Sequence, residues 1–115
     1  MAFKLDASGT ETPLHAFKGG TDGDFPDQGV IIDSAGRLYG TTYAGGISNA
    51  GVVFKLTNAG RESILYTFTG GADGLQPFSG LVRDGSGNLY GTTFHGGITT
   101  GPCGSGCGVV YKVTP

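Results

Sequence analysis

Three observations in the sequence predict an all-β fold. Residues 37–46 read RLYGTTYAGG and residues 88–97 read NLYGTTFHGG, so the chain repeats itself. Its apolar residues fall in short runs of Val, Ile, Leu, Tyr, Phe and Thr, each bounded by turn-forming residues. No segment carries a 3.6-residue apolar period long enough for a helix. Sliding the sequence on itself by 51 residues matches 23 of the 49 positions from Met1 to Asn49 with Val52 to Thr100. A third, partial copy follows, because GVVYKVTP at 108–115 repeats GVVFKLTN at 51–58. Periods of this length signal solenoids, propellers or arrays, and four strands in roughly 50 residues is the spacing of a β-propeller blade. About two four-stranded blades are therefore expected per chain, with the ring completed by further copies or by a longer propeller of which this is a part.

The elements follow in order. Strands are predicted at 2–5, 13–17, 29–33, 37–42, 51–56, 63–68, 80–84, 88–93 and 108–113. DSAGR (33–37) and DGSGN (84–88) read as tight hairpin turns, with Asp33 and Asp84 capping backbone groups and glycine supplying positive φ. DASGTE (6–11) and TNAGRE (57–62) read the same way. Val52, Phe54 and Leu56 point to one face of their strand and Val53 to the other, the pattern of a strand buried on both sides. The chain forms one repeat domain over 1–115: a first copy at about 1–50, a second at about 51–107, and the partial third at 108–115.

Composition bounds the partners. Gly occupies 24 of 115 positions without a G-X-Y period, and the 37% apolar content speaks against disorder. The net charge is −2, and the seven cationic residues are scattered, so no phosphate-binding face is expected and nucleic acid is excluded as a partner. No run of ~18 apolar residues is present to cross a membrane as a helix. MAFKLDASGTE carries no apolar signal-peptide core.

The blocks NLYGTT (88–93), GVVFKLT (51–57) and LYTFTGG (65–71), with the glycine pairs between them, resemble the GloVer tandem repeat of bacterial choice-of-anchor surface proteins. The strand order is also similar to that of NHL-type propeller blades. The resemblance covers essentially the whole chain. It implies β-propeller architecture and a secreted or anchored location, and it brings no catalytic motif.

In that blade order, the links entering each blade and the loops after each LYGTT strand leave from one rim, where propellers commonly place ligands. Candidate ligand-binding residues on this rim are Asp22, Asp24, Asp27, Tyr43, Asp73, Phe94 and His95. Asp22, Asp24 and Asp27 offer carboxylate oxygens of the kind Ca²⁺ uses, but the second copy keeps only Asp73 and no Glu closes the loop. They read as turn formers, and no metal or cofactor is expected. Cys103 and Cys107, in CGSGC, are expected to close a local disulfide, with free thiols the alternative. Such a bond argues for an oxidising, extracellular or cell-surface location. His15 and His95 are the bases that titrate near neutrality, and their repeat partners are Tyr66 and Ala44. No G-x-S-x-G elbow and no phosphate loop occurs.

The expected role is a non-catalytic interaction module that binds a protein or a glycan through rim loops, with Tyr43 and Phe94 as stacking surfaces. A self-assembling structural protein and a lyase- or hydrolase-type propeller enzyme are the alternatives. Self-association is expected as well, as a trimer or tetramer, because two blades leave apolar faces with nothing to cover them.

Overall fold

The computed structural model describes residues 1–115 and is all-β, without helices. Ten strands form: β1 (Ala2–Leu5), β2 (Glu11–His15), β3 (Ile31–Ile32), β4 (Leu38–Thr42), β5 (Val52–Leu56), β6 (Glu62–Thr67), β7 (Leu75–Pro77), β8 (Val82–Arg83), β9 (Leu89–His95) and β10 (Val110–Val113). All nine expected strands recur with their ends moved by up to two residues, the expected 13–17 strand as β2. Hydrogen bonding keeps only the two residues at the centres of 29–33 and 80–84. The correction is β7, which lies in what the sequence offered as a link. It pairs antiparallel with the far end of β9, Leu75 opposite His95 and Pro77 opposite Thr93. Pro77 lacks an N–H, which an edge strand tolerates.

The strands make three pieces: the hairpin β1-β2, a complete antiparallel sheet ordered β3-β4-β5-β6, and a second sheet in which β8, β7 and β10 all pair with β9. Turn chemistry explains the hairpins. Asp33 Oδ1 accepts the Ala35 and Arg37 amides, and Oδ2 accepts Arg37 Nε and the Tyr39 hydroxyl. Asp84 repeats this with the Ser86 and Asn88 amides, Asn88 Nδ2 and the Tyr90 hydroxyl. For Asp33 burial raises the pKa, and the bonds from Arg37 and Tyr39 overcome it; for Asp84 the Asn88 side-chain bond leads. Both carboxyls are held down to about 2.

Register sorts the side chains of the complete sheet. Tyr39 stands opposite Lys55, Gly40 opposite Phe54, and Thr41 opposite Val53. Partners across a ladder share a face, so Tyr39, Thr41 and Val53 point one way and Leu38, Gly40, Phe54 and Leu56 the other. The first face packs on the second sheet, where Tyr39 and Val53 join Leu81, Leu89 and Val113 with Ala50 and Phe68 in one buried cluster. The other face meets the N-terminal hairpin, where the Phe17 ring lies 4.9 Å from that of Phe54. Gly40 is required by this arrangement, since a Cβ there would stand 2.6 Å from Phe54 Cζ. The three pieces stack as an elongated body of 52 × 32 × 21 Å, and the sheets do not close on themselves.

Candidate functional site

Pairing of β7 with the end of β9 brings together two stretches that the sequence separates by about twenty residues. Phe78 follows β7 and Phe94 lies near the end of β9, and the two rings stand edge to face at 6.1 Å. Tyr43, immediately after β4 in the preceding repeat, stands edge to face with Phe78 at 5.7 Å. The amides of both Tyr43 and Asp27 donate to the Phe25 carbonyl, which holds the Asp27 loop against the end of β4. Asp27, Tyr43, Phe78 and Phe94 line a cavity of about 280 Å³ between the two repeats. Half or more of the surface of Phe78 (50%) and Phe94 (58%) remains exposed, so the aromatic faces are available to a ligand.

The backbone below the cleft is strained in the same way in both repeats. Phe25 and Gln76, repeat partners at an offset of 51, have φ of 54° and 59°. Non-glycine residues enter this region at a cost, and such positions concentrate at binding sites. Gln76 uses its conformation to set its Oε1 3.1 Å from His95 Nδ1, while the His95 ring rests edge-on against Phe94 at 4.6 Å. His95 thus braces Phe94 and does not line the cavity.

Of the residues expected on the rim, the structure unites Asp27, Tyr43 and Phe94 and sets His95 behind them. The other carboxylates go elsewhere. Asp24 is part of an isolated bridge with Ala44 and accepts the Phe25 amide. Asp73 accepts the Thr69 amide and hydroxyl and the Tyr66 hydroxyl; burial works against its charge, but these bonds outweigh it and lower its pKa. Asp22 accepts the Lys18 amide and sits beside His15 and Glu62, with His15 Nε2 at 3.4 Å from Asp22 Oδ2 and 3.1 Å from Glu62 Oε2. Burial raises the Glu62 pKa, His15 opposes that rise, and Asp22 adds to it. Cys103 and Cys107 are disulfide-bonded with Cα atoms 5.2 Å apart.

Sequence reasoning missed Phe78 and Glu62. Phe78 had a signal, because it is the repeat partner of Asp27. Glu62 had none, because its contact with His15 joins strands in different sheets.

An all-β repeat protein with an aromatic cleft between successive repeats is the class defined so far. The chain belongs to the Gloeobacter/Verrucomicrobia repeat family, whose model matches residues 1–115. No curated protein and no solved structure matches it significantly.

Proposed function

We propose that this chain is a non-catalytic interaction module made of β-propeller blades, and that the cleft between its repeats binds a glycan. The observation that carries this reading is the aromatic array of exposed Phe78 and Phe94 and half-buried Tyr43, with one carboxylate, Asp27, at its edge. Apolar ring faces stack on the C–H faces of a sugar, and a carboxylate accepts its hydroxyl hydrogens; the cavity is at the small end of ligand sites and suits one ring at a time. No nucleophile–base pair accompanies it, since His95 is turned toward Gln76. A glycan array followed by titration calorimetry tests the reading. Binding that is lost in Phe78→Ala and Phe94→Ala supports it; a protein that binds no glycan, or binds equally well as Phe94→Ala, overturns it.

A second reading, self-association, is favoured by a separate observation. β10 is hydrogen-bonded to β9 on one side only, and Val110 on its outer face is 80% exposed. An open edge beside an apolar face is a template for another strand. In a propeller ring, β2 of a second copy would take the place beside β10 that β6 takes beside β5, with β1 giving way, and three or four copies would close the ring. A discrete trimer or tetramer in light scattering supports this, and a stable monomer of 11.6 kDa refutes it.

A further inference from the structure

The cluster of His15, Asp22 and Glu62 lies apart from the aromatic cleft and is built from three segments: the end of β2, the link after it, and the start of β6. One donor atom from each residue lies within 4.8 Å of the other two. His15 Nε2 stands 3.1 Å from Glu62 Oε2 and 3.4 Å from Asp22 Oδ2. Ligands bound at ~2.0–2.1 Å to a tetrahedral ion stand roughly 3.3–3.4 Å from one another, so these side chains already hold about the spacing such an ion imposes.

Two further observations point to a ligand. Glu62 Oε1 is a buried oxygen without a hydrogen-bond partner, and His15 Nε2, though 3.1 Å from Glu62 Oε2, makes no well-aligned hydrogen bond; coordination would satisfy both. The second repeat provides an internal control. There Tyr66 occupies the place of His15, and its hydroxyl closes onto Asp73 with a good 2.8 Å hydrogen bond. The architecture thus needs only a donor at this position to satisfy the aspartate. The first repeat instead presents an imidazole nitrogen to its aspartate, and Glu62 of the neighbouring sheet stands beside both.

We infer that His15, Asp22 and Glu62 bind a divalent transition-metal ion of the zinc class. Imidazole with two carboxylates is a borderline-hard donor set that suits such an ion, whereas Ca²⁺ takes six to eight oxygens and Mg²⁺ an octahedron of them. Two carboxylates and a neutral imidazole balance the charge of the ion, and water completes the coordination. The Lys18 amide donates to Asp22 Oδ2, the oxygen that faces His15, and orients the carboxylate, while the Phe17 ring, 4.6 Å from that of His15, holds the imidazole in place. The ion would join the N-terminal hairpin to the complete sheet. The same seam carries the contact of Phe17 with Phe54 and a cavity of about 260 Å³ between hairpin and sheet.

Untagged full-length protein, stripped with a chelator, is titrated with Zn²⁺ by calorimetry, and melted with Zn²⁺, Ca²⁺ or Mg²⁺. The expected result is saturable binding of one Zn²⁺ per chain and a melting temperature raised by Zn²⁺ alone. Co²⁺ in place of Zn²⁺ should give visible d–d absorption. His15→Tyr, which installs the residue used by the second repeat, should fold and lose the binding. Glu62→Gln, which keeps the side chain's shape, should weaken it, and His95→Ala should leave it unchanged. No saturable Zn²⁺ binding overturns the inference. So does binding that survives both His15→Tyr and Glu62→Gln, or binding that disappears with His95→Ala.

Discussion

β4 and β9 both begin with the five residues LYGTT, and β5 and β10 are their matching partners, yet the two sheets live in different surroundings. Val53 is fully buried and its counterpart Val110 is 80% exposed. Thr41 is 1% exposed, while Thr92 faces solvent. Local sequence is nearly identical, so propensity cannot account for the difference. Position in the stack does. The complete sheet has the hairpin on one face and the second sheet on the other, whereas the second sheet is covered on one face only. Repeat sequences encode a unit that is buried on both sides wherever neighbours exist, and stability arises at the junctions.

The sharpest way to break this comparison is to delete the same two methyl groups in both places. Val53→Ala removes buried carbon from a packed site and is expected to cost about 2–3 kcal/mol in denaturant unfolding. Val110→Ala should fall within about 0.5 kcal/mol of wild type. Equal losses would mean that the outer face of β10 is covered in solution, which is the outcome self-association requires.

Gly40 and Gly91 provide a second pair. Both lie opposite a cross-strand aromatic ring, Phe54 and Tyr111. Phe54 is locked between sheet and hairpin, so Gly40→Ala should cost about 1–2 kcal/mol through overpacking. Tyr111 is half-buried between the two sheets, with its ring 5.0 Å from that of Phe68, a buried hydroxyl that lacks a partner and a pKa raised by burial. A Cβ at Gly91 would stand 2.6 Å from Tyr111 Cζ, as close as one at Gly40 to Phe54 Cζ, so Gly91→Ala should cost as much as Gly40→Ala. A Gly91→Ala variant that melts like wild type while Gly40→Ala is destabilised would contradict the placement of the two rings.

Acid titration sharpens the comparison of the two hairpin turns. Asp33 and Asp84 have folded pKa values of about 2 against an ordinary 3.8. A depressed carboxyl pKa contributes stability that is fully present above the unfolded value and disappears as pH falls through the folded one. Stability should thus decline between about pH 4 and pH 2, and Asp33→Asn and Asp84→Asn should each flatten that decline. A profile that both variants leave untouched would mean that other carboxylates control acid unfolding.

The smallest effect is expected at Cys103–Cys107. The bridge spans a sequence separation of 4, and so short a ring constrains the unfolded chain least. Reduction should lower global stability by less than about 1 kcal/mol, read from melts with and without reductant. A larger loss would show that the inserted loop of the second repeat is anchored to the sheets.

Most of the fold was legible in the sequence, because strand periodicity and turn chemistry are local. Asp33 four residues before Arg37 and Asp84 four before Asn88, each with glycine between, specify their hairpins without help from the rest of the chain. β7 was not legible. LQP carries one proline and no alternation, and it becomes a strand only because the end of β9 lies alongside to receive it. Three of the four cleft residues, Asp27, Tyr43 and Phe94, could be read, the two aromatics because each follows a copy of LYGTT; their union with Phe78 required the two repeats to pack together.

By itself, the sequence determined an all-β chain, its repeat length, its turns and which residues of each strand are apolar. These follow from interactions within a few residues, which are the same in every copy. Only the tertiary structure decided which copy of each residue is buried, that Phe78 meets Phe94, and that His15 meets Asp22 and Glu62. Those outcomes depend on contacts between sheets, and two copies of one sequence acquire different environments as soon as one of them has a neighbour that the other lacks.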